Sequence, residues 1–258
     1  MSRDDGSTDQ SWSSYLDGFH AQQPGITERV LERAHNSAIN PYEWAAAGVP
    51  SDAVVLDLAC GSGPLAKRLT GPWVGIDRSS SELDVANGRG VTRLVNGDGA
   101  ALPFMSSCFD AVVCSMALML VQPLDDTIAE LHRVLRPRGR LVALLPSSHP
   151  LTLRDRLRWG SVLFTLRRAR LTYPNADEVA HLAATLAARG LDVDTDESRR
   201  FAYSTDSAQA FGELIQSLYL PGTAERRRQK AIAVAEHWAG TEIGIPLRRI
   251  VAVRADDV

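Results

Sequence analysis

Three aspartates and two glycines carry the chemistry this sequence offers. Asp57 closes the apolar run VVLDLA, Gly61 and Gly63 follow in CGSGPLAKRL, Asp77 ends WVGID, and Asp98 lies in NGDGAALPF. An apolar run, a glycine-rich turn and an amphipathic stretch read as strand, loop and helix. Glycine allows φ > 0 and a close backbone approach to a ligand. A helix starting near Pro64 would aim free N–H groups at a phosphate or a carboxylate. GSGPLA also satisfies the dinucleotide pattern GxGxxA, so an NAD(P)-dependent oxidoreductase is one alternative. The absence of GK[ST] excludes a P-loop. Asp77 stands twenty positions after Asp57, where an acid accepts ribose hydroxyls. Asp57 repels a pyrophosphate but suits an ammonium or sulfonium group. Asp98 can accept from an adenine amino group. A ligand with ribose, adenine, a carboxylate and a positive nitrogen and sulfur satisfies all four features.

The elements that must position these residues alternate. AVVLDLA, WVGID, VTRLV, FDAVVCS and RLVALLP read as strands. PLAKRL, SSELDVANG and DDTIAELHRVL read as the helices between them. Short Val/Leu/Ile-rich runs alternating with helices predict a parallel sheet covered on both faces. Before this core, Trp12, Tyr15, Leu16 and Phe19 recur at helical spacing. A second helix is expected with Thr27 as N-cap, and a third through PYEWAAAG with Pro41 in its first turn. After residue 150 the alternation breaks into a basic amphipathic segment, LRDRLRWGSVLFTLRRAR, and a helix ending at Gly190. The strand SRRFAYS, two further helices and the strand PLRRIVAVRA follow. The basic segment suits a lid over an acidic or lipophilic substrate, a membrane-surface helix, or a solvated face.

Composition limits the partners. The net charge of −3 gives no general attraction to nucleic acid or to an anionic surface. Three cysteines without a CxxC pair argue against zinc and suit a reducing, cytoplasmic setting. Cys60 and Cys114 read as packing residues, since no activating base is near them in sequence. The polar N-terminus is not a signal peptide, and no apolar run reaches the roughly 20 residues of a membrane span. His149, in PSSHP after the fifth core strand, lies where a general base could serve a substrate hydroxyl or amine. A solvated loop histidine is its plain alternative.

Taken in order, LDLACGSG, VGIDRSS, NGDGAALPF, FDAVVCSMALMLV and LHRVLRPRGRLVALL resemble the class I S-adenosylmethionine-dependent methyltransferases, in their small-molecule, ubiquinone/menaquinone-methyltransferase-like branch. The resemblance covers roughly residues 53 to 146. It implies a Rossmann-like, seven-stranded, mainly parallel sheet flanked by helices, with a helical cap. Residues 1–12 would be a disordered tail and 13–258 a single domain. Its core would be about 50–150, 175–204 and 241–258, and its cap 13–49, 151–174 and 205–240. Carried over residue by residue, the resemblance implies that Asp57 holds the methionine amino group. Gly61 and Gly63 admit the cofactor, and Asp77 binds the ribose, with Arg78 beside the adenine. Asp98 and the Gly99 N–H meet the adenine, and Ser115 and Met116 line the methyl end. Tyr15 and His20 lie on an N-terminal helix that in this family folds over the cofactor. Two positions depart from the pattern. Ala59 stands where the family often has glycine, with an ordinary backbone expected there. Arg138 in RPRG stands where RPGG is usual. The implied reaction is an in-line methyl transfer to a small-molecule acceptor, without metal, in which the protein holds the reactants about 3–3.5 Å apart and excludes water. A nucleic-acid methyltransferase is a further alternative, but CSMALM replaces an NPPY-type or DPPY-type tetrapeptide after the fourth strand, so no nucleic-acid partner is expected; a non-catalytic cofactor-binding protein is the third. The apolar face of FGELIQSLYL needs cover, against the body or in a homodimer.

Overall fold

The computed structural model describes residues 6–205 and 207–256. In chain order its elements are α1 (Gly6–Gln22), α2 (Ile26–Arg33), β1 (Ala34–His35), α3 (Pro41–Ala46), β2 (Val55–Leu58), β3 (Trp73–Asp77), α4 (Ser80–Gly88), β4 (Leu94–Asn96) and β5 (Phe109–Ser115). Then come α5 (Leu124–Val134), β6 (Leu135–Pro146), α6 (Leu153–Leu166), α7 (Ala176–Ala180), α8 (Leu182–Ala187), β7 (Leu191–Thr205), α9 (Ala208–Gln216), α10 (Glu225–Glu236) and β8 (Thr241–Arg254). One mixed sheet has the order β1-β7-β8-β6-β5-β2-β3-β4. The five strands from β6 to β4 are parallel, and β8, β7 and β1 continue the sheet antiparallel. This is the expected Rossmann-like sheet with a two-residue eighth strand added at one edge.

The chain winds from β2 outward through β3 and β4, then returns to β5 and winds the other way. The switch point is therefore the crevice between β2 and β5, where open α/β sheets bind ligands. Alternating residues of these strands feed two cores on opposite faces. Leu56, Leu58, Val112 and Cys114 lie in one; Val55, Ala111 and Val113 lie in the other. A third apolar cluster joins α6, α9 and α10 through Val162, Leu166, Ile215, Leu220 and Ala231. The FGELIQSLYL face is thus covered within the chain, which removes the apolar argument for a homodimer.

Several local expectations are corrected. Helix α1 begins at Gly6, so residues 6–12, expected in the tail, are helical; residues 1–5 lie outside the described residues. Gly25 precedes α2, left-handed at φ 71°, and Thr27 is not the N-cap. Thr27 instead shares the wall of a cavity with Tyr219. Residues 64–68 form successive turns, not a helix. The stretch is short and is cut off by Thr70-Gly71-Pro72, with no capping residue at its start to fix a first turn. The Arg68 guanidinium also donates to the Pro64 carbonyl at 2.5 Å, taking a bond that a helix would have used. By contrast α3 starts as its sequence implies, with Pro41 at the first turn and a reciprocal Asn40–Glu43 capping box. No helix among the described residues is long and apolar enough to cross a membrane.

Candidate cofactor site

Beyond the carboxyl ends of β2, β3 and β5 lies a cavity of about 330 Å³. Asp57, Ala59, Gly61, Asp77, Arg78, Asp98, Gly99, Ser115 and Met116 all contribute to its wall, so nine of the residues singled out above come together. Asp57 is buried at its base, and its Oδ2 has no hydrogen-bond partner. Burial and then the neighbouring Asp77 push its carboxyl well above the usual carboxylate range. A buried acid in that state is strained toward any ligand bringing a positive charge. Asp77 is also raised by burial, against the opposing pull of two backbone donors. The Ser79 N–H donates to its Oδ1 at 2.8 Å and the Gly61 N–H to its Oδ2 at 2.7 Å. Each oxygen keeps a further acceptor site for a ribose hydroxyl. Asp98 is exposed at the rim, with one oxygen accepting from the Ala100 N–H at 2.9 Å. A Cβ on Gly99 would come within 3.2 Å of Leu58, so a larger residue there would crowd the wall.

Three of the singled-out residues lie elsewhere. Gly63 does not line the cavity; at φ 80° its Cα faces Val91 and Ala86, and it shapes the loop from behind. Tyr15 packs between Trp12 and Phe19, and its hydroxyl accepts from the Leu220 N–H at 2.7 Å. His149 is exposed and outside the cavity, beside Ser148, so it is not placed as a general base. Cys60 and Cys114 are buried thiols raised chiefly by desolvation, in keeping with packing roles.

The wall also holds His20, expected there from the N-terminal helix, and four residues not singled out above as site residues. Leu16, Asp17 and His20 from α1, Glu82 from α4, and Tyr219 after α9 all face the cavity. Glu82 accepts from the Gly25 N–H at 2.9 Å, and its other oxygen lies 2.9 Å from His20 Nδ1. Arg78 reaches Asp17 and the Ser13 hydroxyl. The Phe19 and Tyr219 rings sit 4.7 Å apart. These contacts fold the N-terminal segment over the crevice. The signal for Glu82 was present, three residues after Ser79, but it reads as an ordinary helix cap.

Ala59 corrects another expectation. It sits at φ 52°, in the left-handed region, as does Arg138 at φ 64°. Glycine at either place would relieve about 1–2 kcal/mol of backbone strain, partly offset by the added freedom of the unfolded chain. Ala59→Gly and Arg138→Gly should therefore each raise stability by about 0.5–1 kcal/mol in denaturant titrations.

The geometry separates the candidate ligands. A dinucleotide loop needs free N–H groups and a helix N-terminus aimed at a pyrophosphate. Here the Gly61 N–H is engaged by Asp77, residues 64–68 are not helical, and Asp17, Glu28, Asp57, Asp77 and Glu82 make the wall acidic. The residues fit an adenosyl ligand that carries an ammonium group.

The overall fold aligns with the crystal structure of the YcgJ protein from Bacillus subtilis at a TM-score of 0.58 and 15% identity, over 84% of this chain and 99% of that one. Residues 56–143 match the family model described as a methyltransferase domain. Over 179 residues the chain is 37% identical to a demethylmenaquinone methyltransferase of Thermobifida fusca, covering 65% of this chain and 75% of that protein. It is also 37% identical over 110 residues to a ubiquinone/menaquinone biosynthesis C-methyltransferase of Hahella chejuensis, covering 38% of this chain and 44% of that enzyme. The fold and crevice are those of a Rossmann-like methyltransferase. The chain belongs to the class I S-adenosylmethionine-dependent methyltransferases, in the quinone-methyltransferase branch. Its reaction is methyl transfer from S-adenosylmethionine to a small-molecule acceptor.

Proposed function

We propose that this chain methylates a ring carbon of a hydroquinone-type acceptor, with S-adenosylmethionine held by the residues of the β2/β5 crevice. The observation that carries the cofactor placement is the buried Asp57 oxygen without a partner, which fits the amino group of the methionine portion. Asp77 would hold the ribose hydroxyls and Asp98 the adenine amino group, with Gly61 and Ala59 forming the floor. When bound, the cofactor supplies a methyl group on a sulfonium, which departs as a neutral thioether.

The acceptor is inferred from the relatives' quinone substrates and from the wall. Leu16, Met116, Ala117, Leu120, Val121 and Tyr219 give the cavity an apolar side that suits a flat ring. An ionised ring hydroxyl feeds electrons to the adjacent carbon. That carbon would receive the methyl group of the bound cofactor, and the ring proton it displaces would pass to water. The chain's contribution is to align the ring, exclude water and keep the cavity negative enough to hold a cation. The acidic wall disfavours a phosphodiester acceptor.

Calorimetric titration tests the cofactor site. S-adenosylmethionine and its demethylated product should bind, and Asp77→Ala should weaken both about 10- to 100-fold through loss of hydrogen bonds to a charged acceptor. Binding of a nicotinamide cofactor in their place would overturn the assignment. Turnover is then compared on a demethylated naphthoquinol, a catechol and an amine. Methylation of the catechol oxygen or the amine, with none on the quinol ring, would overturn the acceptor.

A further inference from the structure

Helix α6 carries two apolar faces, and the fold uses only one. Its inner face is fixed firmly. Val162 and Leu166 are buried in the cluster shared with α9 and α10. Asp155 accepts from the Gly244 N–H at 2.7 Å and pairs with Arg200, and Trp159 Nε1 donates to the Gly244 carbonyl at 2.8 Å. The outer face carries Leu153, Leu157 and Phe164, which are 74%, 68% and 85% exposed. At about 100° per residue, positions 0, 4 and 11 of a helix fall within about 40° of one another. They form one stripe along the helix, with Gly160 between them.

Arginines border that stripe. Residues 153–170 hold six arginines and one acid, Asp155, which points inward. Arg158, Arg168 and Arg170 are engaged with the Glu242 carbonyl, the Pro221 carbonyl and Asp177. Arg154 and Arg156 flank the stripe on opposite sides, and Arg167 caps the helix end. Among the described residues, none of these three side chains has a hydrogen-bond or ion-pair partner. The protein as a whole is negative, so this local excess of positive charge is set against the general balance.

We propose that the outer face of α6 docks on the surface of an anionic phospholipid bilayer. Leu153, Leu157 and Phe164 would enter the boundary between headgroups and acyl chains, and Arg154, Arg156 and Arg167 would meet the lipid phosphates. Charge complementarity selects this occupant. A second copy of the chain would bring the same arginines of two protomers toward each other around a two-fold axis. Three side chains also cover far less than the ~800 Å² per partner of a stable protein interface. Helix α6 follows β6 and is pinned to the start of β8, so it lies at the same edge of the sheet as the cofactor crevice. This inference stands on the α6 surface alone and does not depend on the acceptor.

The test is co-sedimentation of the full chain with vesicles of equimolar phosphatidylcholine and phosphatidylglycerol, and with phosphatidylcholine alone. The protein should pellet with the anionic vesicles at low salt, and less so as screening rises. Leu157→Ser/Phe164→Ser and Arg154→Glu/Arg156→Glu should each lower the vesicle-bound fraction by about tenfold or more. Both pairs are at the surface, so thermal unfolding should be unchanged and loss of binding cannot be put down to misfolding. Three results would overturn the proposal: wild type staying in the supernatant with anionic vesicles, either pair binding like wild type, or a wild-type dimer in sedimentation velocity that Leu157→Ser/Phe164→Ser converts to monomer.

Discussion

Asp57→Asn should lower the affinity for S-adenosylmethionine by about a hundredfold while raising the melting temperature of the ligand-free protein at neutral pH. Both effects have one cause. The wild-type carboxylate is buried with one oxygen unpartnered, and burial and Asp77 disfavour its charged form. A bound ammonium group offsets that cost, and truncating one partner of such a buried pair typically costs about 2–5 kcal/mol. Without ligand there is nothing to offset it, so a neutral isostere relieves the fold. The pH dependence gives the sign independently. An acid whose folded pKa is raised binds its proton more tightly when folded, so its contribution to stability falls as pH rises. The window opens near the ordinary value of 3.8 and extends up to the raised one. The difference in melting temperature between variant and wild type should therefore grow from pH 4 upward in scanning calorimetry. Saturating cofactor should shrink or reverse it. Equal affinity in the two proteins would remove Asp57 from the site.

Asp155→Ala should be the most destabilising substitution in the cap, by about 3–5 kcal/mol, because it strands the Arg200 charge. Asp155 is 1% exposed and accepts five hydrogen bonds: from the Thr152 N–H and hydroxyl, from Arg200 twice, and from the Gly244 N–H. Burial alone would raise its carboxyl; the Arg200, Thr152 and Gly244 bonds overrule it and hold the group well below the usual range. The sign is opposite to that of Asp57. This stability is present above the unfolded value of 3.8 and is lost as pH falls through the lowered folded one. Urea titration of the variant should show the loss at neutral pH, and it should narrow as the wild type is acidified. A variant as stable as wild type would mean that Arg200 finds water or another acid at little cost.

The parts of the site that were legible are those set by strand ends. Asp57 and Asp77 each follow from an apolar run ending at the edge of a parallel sheet, where a side chain can face the crevice; Ser115 followed only from the family resemblance. The parallel part of the sheet was legible for the same reason, since Val/Leu/Ile runs alternating with helical segments allow few topologies; the seven-strand, mainly parallel count came from the family resemblance. What was not legible depends on distant partners. Pro64–Leu69 has the composition of a helix, but Arg68 bonds Pro64 and the chain must reach β3 at once. Tyr15 and Tyr219 are both cap tyrosines; the Leu220 N–H takes the first out of the cavity and ring contact with Phe19 holds the second in its wall. His149 lies at the correct end of β6, yet the chain there runs out to solvent. Glu82 has a local role available as a helix cap, and only the folding back of residues 16–25 turns it toward His20 and Gly25.

The β7–β8 pairing has an evolutionary consequence. Past a bulge between Val193 and Thr195 the two strands keep one register up to Thr205 opposite Thr241, and the segment between them leaves and returns at adjacent points. The Thr205 hydroxyl donates to the Trp238 and Thr241 carbonyls, and the Gly240 N–H donates to the Thr205 carbonyl at 2.7 Å, closing the base of that segment. Residues 207–240 thus form a cassette whose length can change without shifting a rung of the sheet, provided α9 and α10 keep their packing against α6. Because Tyr219 rides on this cassette and lines the cofactor crevice, each exchange brings its own closure for the shared donor along with a new choice of acceptor. Diversification of this scaffold can then proceed within that one segment, while Asp57 and Asp77 at the strand ends of the crevice stay in place.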